Sequence, residues 1–445
     1  MQRLALAGYS LLAWLATGLL RRKLRRRARA EPGYALAVEE RFGHYDTPAS
    51  RSGSVLVWLH AVSLGETRAA AILVQALRAQ LPGMRLLLTH GTATGRAEGA
   101  RLLQPGDMQA WLPWDTPGAV RRFLQHFRPT AGVLMETEIW PNLVAACRVH
   151  GVPLVLANAR LNEKSLRGAR RLAWLSRPAY AALSAVWAQT GQDAARLRSL
   201  GAPVAGVFGN LKFDAQPDAA LLAQGRAWRA LQPRPVVMLA SSREGEEALW
   251  LENIKQKQPA ALVDKALTAI NSNVLTVPVQ WLIVPRHPQR FDEVALLCAA
   301  AGLSVSRRSQ WRDAPEAADV WLGDSLGEMA LYYGLADAAL LGGSFAPLGG
   351  QNLIEAIACG CPVLLGPHTF NFAEAAEGAV QAGAALRAAD MGAALDQALA
   401  LVHAGDQRAQ MVQRCGAFLA QHQGAAQKTA AAIASVAGVY FSPNR

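Results

Sequence analysis

The sequence predicts an α/β protein built from two successive parallel-sheet domains behind an amino-terminal anchor helix. Three observations predict it. Short apolar, β-rich runs alternate with helical patterns along the 445 residues, which is the signature of parallel strands joined by helical crossovers. The alternation comes in two series separated by a proline-punctuated stretch. Hydrophobic residues make up 51% of the chain and charged residues 18%, enough apolar surface for two cores at this length.

The first element is the amino terminus. From Leu4 to Leu20 no residue is charged, and as a helix this run reaches about 25 Å, slightly short of a hydrocarbon core of roughly 30 Å. It spans marginally or lies obliquely. Arg21, Arg22, Lys23, Arg25, Arg26, Arg27 and Arg29 follow, and the positive-inside rule then places the rest of the chain in the cytoplasm. A cleaved signal peptide carries its basic cluster before the apolar stretch, so anchoring is favoured over secretion. The competing reading is a buried amphipathic helix of the first domain.

The net charge of +12 needs locating before it is read. Eight Lys and Arg and no acid fall in residues 1–30, leaving +4 on the remaining 415 residues. The basic charge therefore suits anionic lipid headgroups and argues against a nucleic-acid partner. Five scattered cysteines, Cys147, Cys298, Cys359, Cys361 and Cys415, form no CxxC pair and read as reduced thiols rather than a disulfide framework or a zinc site.

Strands of the first series are expected at Val55 to Leu59, Arg85 to Thr89, Ala131 to Leu134, Pro153 to Ala157 and Ala185 to Gln189. Those of the second are expected at Val236 to Ala240, Trp281 to Pro285, Val320 to Leu322, Ala338 to Gly342 and Pro362 to Leu365. Pro217, Pro233 and Pro235 interrupt regular structure between them, so the expected division is anchor 1–30, first domain 31–215, linker 216–235 and second domain 236–445. The polar stretch Asn253 to Gln280 reads as a surface excursion. Ligands of such sheets lie beyond the carboxyl ends of the strands, so the chemistry is expected there, in the cleft between the domains.

Several motifs sit at those strand ends. In His60-Ala61-Val62-Ser63-Leu64-Gly65-Glu66 a strand ends and a helix opens with a carboxylate in its first turn; alone, Glu66 reads as a partner of the helix dipole. Met135-Glu136-Thr137-Glu138-Ile139-Trp140-Pro141-Asn142 delivers two more carboxylates from another strand. Together they suggest general-base chemistry on a hydroxyl, solvated loop acids being the alternative. Lys212, within Gly209 to Asp214, offers a cation to a developing phosphate charge. In the second series Ser241 to Glu247, Pro285-Arg286-His287-Pro288, Asp324-Ser325-Leu326-Gly327-Glu328 and Gly349-Gly350-Gln351-Asn352-Leu353-Ile354-Glu355 each open a helix after a strand, placing backbone N–H groups and a guanidinium where a phosphate binds. No Walker A or GxGxxG pattern accompanies them.

In order and spacing these motifs resemble the 3-deoxy-D-manno-octulosonic acid (Kdo) transferases of Gram-negative bacteria, which have the GT-B architecture of two facing Rossmann-like domains. The resemblance runs through both domains. It implies inverting transfer of Kdo from CMP-Kdo to a sugar hydroxyl of a lipid A precursor at the cytoplasmic face of the inner membrane. It also implies roles: Glu66 as general base, Glu136 and Lys212 as stabilisers of the transition state, and Pro285, Arg286, Leu326, Gly327, Glu328, Asn352, Leu353, Ile354 and Glu355 as the cytidylate site. Since helix amino termini and cations suffice for a nucleotide leaving group, no metal and no cofactor is expected. The family usually carries His where Arg243 and Gln351 stand. The rival readings are a UDP-sugar transferase of the same architecture, a nucleotide-sugar epimerase, and a membrane-bound nucleotide sensor.

Overall fold

The computed structural model describes residues 2–47, 55–257 and 278–438, so most of the expected excursion, 258–277, lies outside the described residues. Two compact units emerge, residues 1–214 with 422–445, and residues 215–421.

The first unit is a seven-stranded sheet: β1 (Leu56–His60), β2 (Arg85–His90), β3 (Met108–Trp111), β4 (Ala131–Met135), β5 (Leu154–Ala159), β6 (Ala185–Ala188) and β7 (Val204–Val207). The spatial order is β3-β2-β1-β4-β5-β6-β7, with every pairing parallel. All five residues of β1 are buried because both sheet faces are covered by helices. The two-residue period of the strand divides them. Leu56 and Trp58 enter a core with Phe123, Phe127, Leu143 and Val144, while Val57 and Leu59 enter one with Leu73, Leu77, Ala430 and Ile433. Those last two residues belong to the helix Ala425–Val436, which lies against the helix Leu64–Gln80. Asp214 ties it down, one carboxylate oxygen accepting from Gly424 N–H and the other from Ala426 N–H, each at 2.6 Å. Residues 422–445, expected in the second domain, therefore fall in the first.

The second unit repeats the plan with β8 (Val236–Ser242), β9 (Gln280–Pro285), β10 (Val305–Arg307), β11 (Val320–Leu322), β12 (Ala338–Leu341), β13 (Val363–Leu365) and β14 (Ala385–Arg387), in the order β10-β11-β9-β8-β12-β13-β14, again parallel. The expected linker contains the helix Ala219–Ala230, which packs face to face on the helix Met329–Leu335. Gly225 and Gly334 make this possible: a Cβ at Gly225 would run into the backbone at Leu331 and Gly334, and one at Gly334 into the backbone at Leu222. Burial of Trp228 follows.

The amino-terminal apolar run is not one helix. Gln2–Leu15 and Thr17–Ala30 meet at Ala16 with a bend of 47°. Among the described residues no single helix is long and apolar enough to cross a membrane, whereas this bent pair together has the length and composition. Its first half packs on the helices Pro141–Val149 and Ala173–Ala181. Leu4, Leu11, Leu12, Trp14, Leu15 and Leu19 remain exposed, Trp14 at 65% and Leu12 at 68%.

Candidate active site

In a sheet of this order the polypeptide reverses direction of travel between β1 and β4, and ligands collect beyond the carboxyl ends at that point. Glu66 follows β1, and Glu136 and Glu138 follow its neighbour β4, so the topology brings the three acids to one place. Ser63 caps the helix Leu64–Gln80, and Glu66 answers it in the manner of a capping box: Oε2 accepts from Val62 N–H at 2.9 Å and Oε1 from the Ser63 hydroxyl at 3.2 Å. The local role expected for a helix-start acid is thus real. Burial pushes its carboxyl up to about 7; the Val62 N–H opposes the rise, and the charges of Glu136 and Glu138 add to it. A carboxylate tuned to neutral pH and held in a fixed orientation suits proton abstraction.

Glu136 is reached by strain. It has φ +57°, a left-handed conformation that costs a non-glycine residue of order 1 kcal/mol or more. The backbone is clamped there: its N–H donates to Ala157 O at 3.0 Å, its C=O accepts from Arg160 N–H at 3.3 Å, and its carboxylate pairs with the Arg160 guanidinium at 2.9 Å. Glu138 is pushed up by burial. Asn158, at the end of β5, is also left-handed with φ +52°, and its Oδ1 accepts from Leu211 N–H at 3.1 Å. That bond holds the turn Leu211–Asp214 carrying Lys212, which sits against the helix Leu64–Gln80. Nearby histidines are structural. His60 is driven down to about 3 and His90 to about 4, chiefly by burial, with their Nδ1 atoms bonded to Thr89 and Ala61.

In the second unit the equivalent reversal lies between β8 and β12. Here the acid at the start of the helix Glu246–Lys257 plays a different part. Glu246, 1% exposed, accepts four backbone N–H groups: Arg243 at 2.9 Å, Gly343 at 2.7 Å, Phe345 at 3.1 Å and Ala346 at 3.3 Å. It pins the glycine turn after β12 to the turn after β8. Gly342 is required where the two turns meet, since any Cβ there would strike Ser241. Around this hub lie cations: Arg243, Arg286 and Arg290 all depress His287, after burial. Arg286 follows Pro285 at the end of β9, and its Nε donates to Gln351 Oε1 at 3.3 Å.

The remaining sequence-predicted residues take distinct places. Gly327 is left-handed at φ +83° and Leu326 is exposed, while Glu328 pairs with Arg308 at 2.8 Å. Asn352 caps the short helix Leu353–Ala358, its Oδ1 accepting from Ile354 N–H at 3.2 Å. Leu353 and Ile354 have buried side chains, so only their backbone can face a ligand. Glu355 is half-buried close to Tyr333 and Cys359. All five cysteines are free and buried. Among the described residues no group of three His, Cys, Asp or Glu converges as a metal site. Glu246 and Asn158 escaped the sequence reading. Glu246 is one of three acids in Glu244 to Glu247, and nothing local marks it as the one bonded to residues about a hundred positions away.

Comparison with known proteins decides the family. Residues 37–215 match the family model described as 3-Deoxy-D-manno-octulosonic-acid transferase (kdotransferase). A 3-deoxy-D-manno-octulosonic acid transferase of Bordetella pertussis is 48% identical over 97% of this chain and 97% of its own length. The chain belongs to the Kdo transferase family. A Haemophilus influenzae Kdo transferase is 32% identical over 89% of this chain and 90% of its own. The fold is also that of a Rickettsia africae glycosyltransferase, with TM-score 0.55 and 11% identity over 86% of this chain and 99% of the other. Of the two positions where the family was expected to carry His, Gln351 is the partner of Arg286 in the second unit. Family membership removes the epimerase reading.

Proposed function

We propose that the chain transfers Kdo from CMP-Kdo, with inversion, to a sugar hydroxyl of a lipid A precursor. The observation that carries this reading is Glu66: a carboxylate pushed up to about 7, held by Val62 N–H and Ser63 beside Glu136 and Glu138, in a chain 48% identical to a Kdo transferase. Glu66 takes the acceptor hydroxyl proton as that oxygen attacks the anomeric carbon of Kdo. The bond from that carbon to the phosphate oxygen breaks, CMP leaves with the electron pair, and a single displacement inverts the centre. Lys212 and the clamped Glu136 stabilise the charge that develops. Arg286 and the run Asn352 to Glu355, where the helix Leu353–Ala358 opens, receive the cytidylate.

The bent helix pair supports a cytoplasmic-face location. Its exposed Leu4, Leu11, Leu12, Trp14, Leu15 and Leu19, with the arginines that follow, suit the boundary between headgroups and acyl chains. The test is transfer of labelled Kdo, from CMP-Kdo generated in situ, to tetra-acylated lipid A precursor by wild type and Glu66→Gln. Product from wild type alone supports donor and base together. No product from folded wild type, with activity on UDP-sugars instead, would sink the donor assignment. A wild type whose turnover of preformed CMP-Kdo stops with EDTA would overturn the metal-free mechanism.

A further inference from the structure

The amino-terminal helix does more than present leucines. On the face turned to the protein, the Ser10 hydroxyl lies 2.7 Å from Asn142 Oδ1, shared with Leu6 O on its own helix at 2.7 Å. The neighbouring Tyr9 hydroxyl faces the Asp115 carboxylate. Those two partners are themselves joined. Asn142 Nδ2 donates to Asp115 O at 2.7 Å, and the Asp115 carboxylate accepts from Asn142 N–H at 3.0 Å and Leu143 N–H at 2.8 Å. Asp115 thus replaces the missing side-chain cap of the helix Pro141–Val149, whose own cap residue Trp140 makes no such bond. Asn142 and Asp115 are both about 5% exposed, so the bonds are made away from water, where an unmet partner is costly.

Three residues before that helix stands Glu138, and six before Asn142 stands Glu136, held in its left-handed conformation. The loop between is short, so the position of the helix start sets the position of the acids. We infer that Ser10 and Tyr9 are positioning residues for transfer: through Asn142 and Asp115 they fix the helix that carries the Glu136–Glu138 loop. This inference rests on the function proposed above. The same helix shows its exposed apolar face outward, so seating on a lipid surface and alignment of the acids become properties of one element.

The test uses the full chain in detergent with CMP-Kdo and the lipid A precursor. In the Ser10→Ala/Tyr9→Phe variant kcat should fall about tenfold while KM for both substrates stays within about twofold, as expected for misplaced rather than missing groups. Ser10→Thr, which keeps the hydroxyl, should restore most of it when paired with Tyr9. Sedimentation with anionic vesicles should be unchanged. Leu12→Ser should do the reverse, losing vesicle sedimentation and keeping detergent kcat. Amide exchange of residues 139–144 should quicken in the double variant, a readout that stands even if the donor assignment fails. Unaltered kcat with unaltered exchange would overturn the inference, as would a kcat loss matched by an equal loss of vesicle binding.

Discussion

Glu66 and Glu246 occupy corresponding places in the two units: each lies in the first turn of the helix that follows the first strand of its sheet, at the reversal point of the strand order. Their surroundings separate them. Glu66 has one backbone N–H and one hydroxyl as partners, is only half-buried, and faces two other acids. Glu246 has four backbone N–H partners and is sealed from water. One carboxylate is left able to exchange a proton, and the other is spent on architecture. Under the proposed mechanism the same residue at the same topological address becomes reagent or scaffold according to how many donors converge on it.

The contrast can be broken at its strongest point first. Glu66→Gln keeps the acceptor for Val62 N–H but not the base, and kcat should fall by about 10²–10⁴-fold with the fold intact, measured by Kdo transfer and thermal unfolding. Glu246→Gln turns an N–H₂ group towards two of the four donors. It should destabilise the second unit by about 1–3 kcal/mol and raise donor KM, read by thermal unfolding and initial rates. A kcat-only effect there would erase the distinction between the two acids.

Arg286→Lys loses the planar fork and should raise KM for CMP-Kdo by about tenfold without moving the pH profile, if this unit supplies binding and the other supplies the proton chemistry. The smallest effect sharpens the first unit. With Glu66 acting as a base, kcat/KM falls as pH drops through about 7. Glu138 is one of the charges that raise it, so Glu138→Gln should move that acid limb to lower pH by less than about one unit. A shift to higher pH would contradict the arrangement of the acids.

How much of this was written in the chain depends on position in the sheet. Ten strands announce themselves as buried apolar runs, from Leu56–His60 to Val363–Leu365. The four that do not, Met108–Trp111, Val204–Val207, Val305–Arg307 and Ala385–Arg387, are the four sheet edges. An edge strand is short and open on one side, so it needs no continuous apolar run: Val204–Val207 alternates between half-buried and exposed residues, and Val305–Arg307 contains a serine and an arginine. The same logic applies to the site. Glu66 and Glu136 were legible because a strand, a turn and a helix start follow one another locally. The work of Glu246, and that of Asp115 in capping a helix 27 residues away, depends on partners that no local pattern names. The proline-marked stretch 216–235 misled because prolines bound the helix Ala219–Ala230 without breaking it, Asp218 capping its start through Ala220 and Leu221 N–H.

The bond from Asp214 to the helix Ala425–Val436 bears on how the protein is made. The second unit is threaded into the first as an insertion, so the ribosome releases the first unit's closing helix only after every residue of the second. Until then Leu73 and Leu77 lack the cover that Ala430 and Ile433 provide. The emerging chain therefore holds an incomplete first unit through the synthesis of about two hundred further residues. A messenger truncated near its end would yield a complete second unit and an unfinished first one, a product marked for degradation.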